Sequence, residues 1–259
     1  MSDVAPPEAS LPAAAPAPWG LGGSAAVVFL SLASQLVLAL LLTGFAGLVL
    51  SASSPDLADK PEELSEAATQ VSILPLALAS SLVTLGLVYA SVVVHHRRPF
   101  FKSLGLSRPS TRGLLASAAC GWGLACAGVG LMMLIPFEGD SESLGPLTRL
   151  ADSGPIGRAI WLALGLCLAP LVEEILFRGY AYLGARRRLG AFGSGLAVTC
   201  LFLLLHLGET GLYWPALAGI GMLAAVLAML MERTGNLSYC IACHLGYNAT
   251  LASAALLGG

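Results

Sequence analysis

The chain reads as an all-α, polytopic membrane helix bundle with about seven transmembrane helices. Hydrophobic residues make up 56% of its 259 residues and charged residues only 11%, whereas a soluble domain is nearer a quarter charged. Mean hydropathy is +0.81. Several apolar runs reach the roughly 20 residues that a helix needs to cross a hydrocarbon core about 30 Å thick. The charges between the runs are also sorted by sign, as in the loops of a multi-pass membrane protein.

Seven spans are expected at about 24–51, 71–94, 113–136, 157–186, 192–210, 214–231 and 237–257. Division of one long run would give an eighth. Residues 1–23 form a Pro/Ala-rich leader without the basic start of a cleavable signal, and read as disordered. Residues 24–259 then form a single integral membrane domain. The second connection carries Arg97, Arg98, Lys102, Arg108 and Arg112, the one after the fourth span Arg186, Arg187 and Arg188, and the one after the sixth Arg233. The first and third connections are mainly acidic, with Asp56, Asp59, Glu62, Glu63 and Glu66, then Glu138, Asp140, Glu142 and Asp152. Positive charge marks the cytoplasmic side, which places the N-terminus inside and the C-terminus outside. His95-His96-Arg97-Arg98 reads as a solvated positive anchor, and Phe100-Phe101 as an interfacial aromatic one.

A net charge of -2 argues against a nucleic-acid partner. The six cysteines all fall in apolar runs and read as small core residues; Cys240-x-x-Cys243 lacks the strand context of a redox motif. Gly121-Trp-Gly123 and Gly128-Val-Gly130 allow close helix contacts, within or between chains, so the oligomeric state stays open.

The informative residues are polar groups inside the apolar runs. Glu173 and Glu174 stand in the fourth, His206 in the fifth, and His244 and Asn248 in the seventh. Ionisable groups at membrane depth are expensive and mark functional sites. At 1.5 Å per residue, Glu173 lies roughly 21 Å and His206 roughly 20 Å from the basic ends, with His244 and Asn248 at roughly 12 and 18 Å. Their heights permit one shared site. Glu174 and Arg178 are four residues apart, the spacing of an ion pair on one helix face. Glu173 is rotated by about 100° from Glu174, which leaves one carboxylate structural and the other free to face a cavity. His244 and Asn248 also share a face, Phe202 is placed to pack over the His206 ring, and Pro170 is placed to bend the fourth helix.

A Glu beside a neutral His can hold and deprotonate water. A His/Asn pair offers N–H donors to the oxyanion formed when that water attacks a carbonyl. Those groups suffice for peptide hydrolysis without a covalent intermediate. No serine has an obvious nucleophile partner, and H-E-x-x-H is absent. Against this stand two readings: histidines that merely bond neighbouring helices, and a transporter using the Glu pair as a proton relay. No inverted repeat supports the transporter.

Three strings carry a resemblance. Glu173-Glu174-Ile-Leu-Phe-Arg178-Gly179 matches E-E-x-x-x-R, Phe202-Leu-Leu-Leu-His206 matches F-x-x-x-H, and His244-Leu-Gly-Tyr-Asn248 matches H-x-x-x-N. In this order they resemble the CPBP family of CAAX proteases and bacteriocin-processing enzymes, also called the ABI family, over about residues 157–250. The resemblance implies an intramembrane protease in which Glu173 and His206 activate water and His244 and Asn248 form the oxyanion hole. Glu174, Arg178 and Phe202 would support the site. It implies a metal-free, glutamate-dependent reaction without a cofactor; a zinc version of the same protease would use Glu173, His206 and His244 as ligands. The implied substrate is a membrane-anchored protein or peptide, in the preferred version a C-terminal sorting or anchor segment, in a prokaryotic inner membrane. The rival within the resemblance is an inactive immunity or scaffold protein that binds a peptide.

Overall fold

The computed structural model describes residues 17–135, 150, 153–210 and 212–258. Among them every regular element is helical. The principal helices are α1 (Leu21–Ser53), α2 (Pro61–Tyr89), α3 (Thr111–Leu134), α4 (Pro155–Ala163), α5 (Ala169–Glu174), α6 (Leu183–Thr210), α7 (Trp214–Thr234) and α8 (Leu237–Gly258). Among the described residues five continuous stretches are long and apolar enough to cross a membrane: Leu21–Ser53, Pro61–His95, Thr111–Leu134, Pro155–Thr210 and Trp214–Thr234. The fourth holds 56 residues and runs from α4 through α6. It breaks inside α6 at Gly190, whose φ of 70° is left-handed backbone that suits glycine. The expected fourth and fifth spans are thus two legs of one broken stretch. The expected seventh falls on α8, Leu237–Gly258.

The boundaries follow local chemistry. Proline occupies the first turn of α2, α4 and α7, where its missing N–H costs nothing. The Ser110 hydroxyl accepts from the Gly113 N–H at 3.1 Å and caps α3. Gly235, at φ 59°, closes α7 with its N–H on the Met231 carbonyl.

Helix α1 packs on α2, α3 on α8, and α6 on α7. The outward face of α1 carries Phe29, Leu36, Leu40, Phe45 and Leu48, all largely exposed. Such an apolar surface belongs in lipid. The α3–α8 contact is backbone-close: a Cβ at Gly121 would collide with the Cys243 carbonyl, and one at Gly246 with that of Ala118. Gly121→Ala is therefore expected to cost about 1–3 kcal/mol and lower the melting midpoint by several degrees. Gly123→Ala, with nothing within 4 Å of its Cβ, should melt like the wild type. Equal midpoints for the two variants in detergent would refute this crossing.

Two expectations need correction. The leader is not featureless through Gly23: helix α1 begins at Leu21, and Trp19 is buried, stacked on Tyr180 at 4.7 Å with its indole N–H on the Tyr180 carbonyl at 2.9 Å. Gly184 leaves the space that Trp19 and Ser24 occupy. Residues 1–16 lie outside the described residues. Of the six cysteines only Cys240 and Cys243 are buried; Cys120, Cys126, Cys167 and Cys200 are exposed on the apolar surface. The acidic third connection, 136–149 with Asp152, also lies outside the described residues.

Candidate active site

The stretch from α4 to α6 alternates between two helix types. It widens to a π-helix over Leu164–Leu168, returns to α over α5, and widens again over Ile175–Tyr182. A π turn takes an extra residue, which re-aims the side chains beyond it and is common at functional sites. Residues 175–182 are all buried. The two glutamates end the α segment between these widenings.

Glu174 and Arg178 are both fully buried. One guanidinium nitrogen of Arg178, Nη1, donates to Glu174 Oε1 at 2.9 Å, and Nη2 donates to the Ala224 carbonyl at 3.1 Å. The guanidinium also lies over the Phe202 ring, 4.8 Å from its centre. The same Glu174 Oε1 is 2.9 Å from His244 Nδ1. A carboxylate only accepts, so the hydrogen-bond network assigns the Nδ1 proton to His244. Glu174 Oε2 and Arg178 Nε are buried with no hydrogen-bond partner among the described residues. The pair's compensation therefore runs through one oxygen, which ties three helical segments together.

Glu173 is turned elsewhere. Its side chain is 27% exposed, and Oε2 lies 3.8 Å from His244 Nε2, beyond hydrogen-bond distance. Together with His206, His244 and Asn248 it lines one cavity of about 510 Å³. His206 Nδ1 is 2.7 Å from the Phe202 carbonyl, an acceptor, so Nδ1 carries a proton and donates it there. Phe202 stacks on the His206 ring at 4.4 Å. Asn248 Nδ2 donates at 2.8 Å to the carbonyl of Gly165, within the first π segment.

The four residues expected at the reaction centre thus share a cavity, and the Glu174–Arg178 pair and the Phe202–His206 stack form at the expected spacings. His244 and Asn248, expected as a joint donor pair, are each partly engaged. Each already has one nitrogen engaged, by a carboxylate in one case and a backbone carbonyl in the other.

Sequence reasoning missed several lining residues. Gln35 of α1 and Thr84 of α2 reach this cavity from helices without a motif, and Thr84 is fully buried with no hydrogen-bond partner among the described residues. Glu209, three residues beyond His206, lines it as well. A second cavity, of about 490 Å³, shares Gln35, Glu173 and Glu209 and continues along the Ser/Thr-bearing face of α2. The available signal was the polar residue in an apolar run, Gln35 above all.

Among the described residues no group of three or more His, Cys, Asp or Glu is placed to hold a metal ion. His206 and His244 each have Nδ1 engaged by an acceptor and Nε2 without a hydrogen bond among the described residues.

Residues 155–250 match the family model described as type II CAAX prenyl endopeptidase Rce1-like. They form an Rce1-like domain. This is consistent with the resemblance to the CPBP family and takes in all three strings. No curated protein and no solved structure matches the chain. The Rce1-like family is one of proteases, so this domain, on helices long and apolar enough to span a bilayer, belongs to an integral membrane enzyme acting on protein or peptide.

Proposed function

We propose that the chain is a glutamate-type intramembrane endopeptidase that cuts a membrane-anchored protein or peptide close to its hydrophobic anchor, by preference a C-terminal sorting or anchor segment. The observation carrying this reading is the single cavity where Glu173 meets His206, His244 and Asn248. The basic connections face the cytoplasm of a prokaryotic cell, and both legs of the broken stretch, together with α8, cross the bilayer.

In the reaction, His206 Nε2 accepts a hydrogen bond from water and holds it beside Glu173. Glu173 takes a proton from that water, and the oxygen attacks the scissile carbonyl. The second N–H of the Asn248 amide meets the oxyanion. His244 contributes as well once Nε2 also carries a proton, since Nδ1 is engaged by Glu174. Glu173 then returns its proton to the leaving amine, and the C–N bond breaks. No covalent enzyme intermediate is formed. Arg178 and Glu174 position His244 without touching substrate.

The test is mass spectrometry of a panel of membrane-anchored peptides incubated with the detergent-solubilised protein. Cleavage next to the anchor, at an unchanged rate with a strong chelator, is expected. Chelator-sensitive cleavage restored by zinc would overturn the metal-free step. Tight peptide binding with no cut in any peptide would replace the enzyme with a binding protein.

A further inference from the structure

A third concave site lies at the basic end of the bundle and shares no residue with either cavity that Glu173 lines. Its volume is about 470 Å³, and three cations line it: Arg98 and Lys102 from the connection between α2 and α3, and Arg187 from the first turns of α6. No carboxylate lines it; the remaining wall is apolar or small, including Leu183 and Met231. The three side chains are exposed, and among the described residues none forms an ion pair. Neighbouring Arg186 shows the contrast: its Nε donates to Glu232 Oε2 at 2.7 Å, and Tyr182 donates to the same oxygen at 2.5 Å. Acidic partners are thus supplied next door and withheld from the cavity.

The frame around the cavity is fixed by backbone contacts. Leu237 N–H donates to the Gly105 carbonyl at 2.9 Å, and Ser110 N–H to the Tyr239 hydroxyl at 3.0 Å. Gly105, at φ 77°, approaches so closely that a Cβ would sit 2.7 Å from the Gly235 carbonyl and 2.8 Å from Met231 Cε. Where the bilayer ends is marked by the end of Pro61–His95 and the start of α3, with Phe101 exposed between them. Exposed aromatics at such a level sit among headgroups.

We propose that this cavity binds the phosphate group of an anionic phospholipid, with Arg98, Lys102 and Arg187 around the phosphate and the exposed Pro18 and Pro99 against the glycerol and first methylenes. Cations near a membrane surface each add attraction for anionic lipid, and guanidinium groups match phosphate oxygens by paired N–H donors. The assignment stands whether or not the protein cleaves peptides. Because Leu183 directly follows the π segment 175–182, an occupied cavity would also brace the helix that carries Arg178.

The full chain, stripped of lipid in a neutral detergent, is titrated with phosphatidylglycerol and with phosphatidylcholine, and bound lipid is counted by native mass spectrometry. Wild type should prefer phosphatidylglycerol, and R98Q/K102Q/R187Q should weaken its binding by at least about tenfold. R108Q/R112Q/R188Q removes the same charge outside the cavity and should bind like wild type. R98K/R187K keeps the charge and should retain the preference, which separates loss of the site from loss of the fold. Equal losses in the two triple variants, or undiminished binding in the first, would overturn the proposal. Displacement of the lipid by millimolar inorganic phosphate alone would assign the cavity to free phosphate and overturn the lipid assignment.

Discussion

Replacing Glu173 by Gln is expected to lower peptide cleavage by about 10²- to 10⁴-fold, the span that a positioned general base contributes. The substitution keeps shape and removes only the proton-accepting charge. Glu173 makes no hydrogen bond within the described residues, and its side chain is 27% exposed to the cavity. Stability should therefore be unchanged within about 0.5 kcal/mol, the range for positions away from packed or paired features. Turnover and the melting midpoint, read on the same preparation, check both halves. An E173Q protein that cleaves at the wild-type rate would remove Glu173 from the base role. A fall in activity matched by a collapse in stability would make the residue structural.

The largest stability effect is expected at Arg178. Arg178→Met strips the buried Glu174 carboxylate of its guanidinium, and removal of one partner of a buried pair costs about 3–5 kcal/mol. At about 2–4 °C per kcal/mol for a chain of this size class, the melting midpoint should fall by about 6–20 °C. Arg178→Lys should rescue little. The fork donates to Glu174 Oε1 and to the Ala224 carbonyl from two nitrogens while lying over Phe202, a geometry that one ammonium cannot reproduce. The double variant Glu174→Met/Arg178→Met should recover much of the loss, because no uncompensated charge remains in the core. A midpoint for Arg178→Met within a degree of wild type would show that the pair is not what holds the three segments together. Full activity in the double variant would refute the claim that Glu174 positions His244 through Nδ1.

Much of this arrangement is legible in the sequence because a bilayer makes polar groups conspicuous. Glu173, Glu174, His206, His244 and Asn248 stand out against apolar flanks whatever the tertiary structure. Helical spacing then fixes the local pairs, Glu174 with Arg178 and Phe202 with His206, since a separation of four residues puts side chains on one face. The same logic stops at the edge of each helix. Periodicity says which face a residue occupies and nothing about what lies opposite.

The all-helical membrane class, the identity of the polar residues and their pairs along single helices were determined by sequence alone, because hydropathy and helical repeat are properties of a local stretch. Tertiary structure alone decided that His244 bonds Glu174 across 70 residues, that Asn248 reaches the Gly165 carbonyl across 83, and that Trp19 anchors on Tyr180 across 161. It also brought Gln35 and Thr84 from motif-free helices to the cavity of Glu173, and Arg98, Lys102 and Arg187 to another. Each of these depends on which helices cross and at what height. That is set by packing at close approaches such as Gly121 against Cys243 and by the π-helical widenings around the glutamates, which shift register without leaving a mark in the hydrophobic pattern.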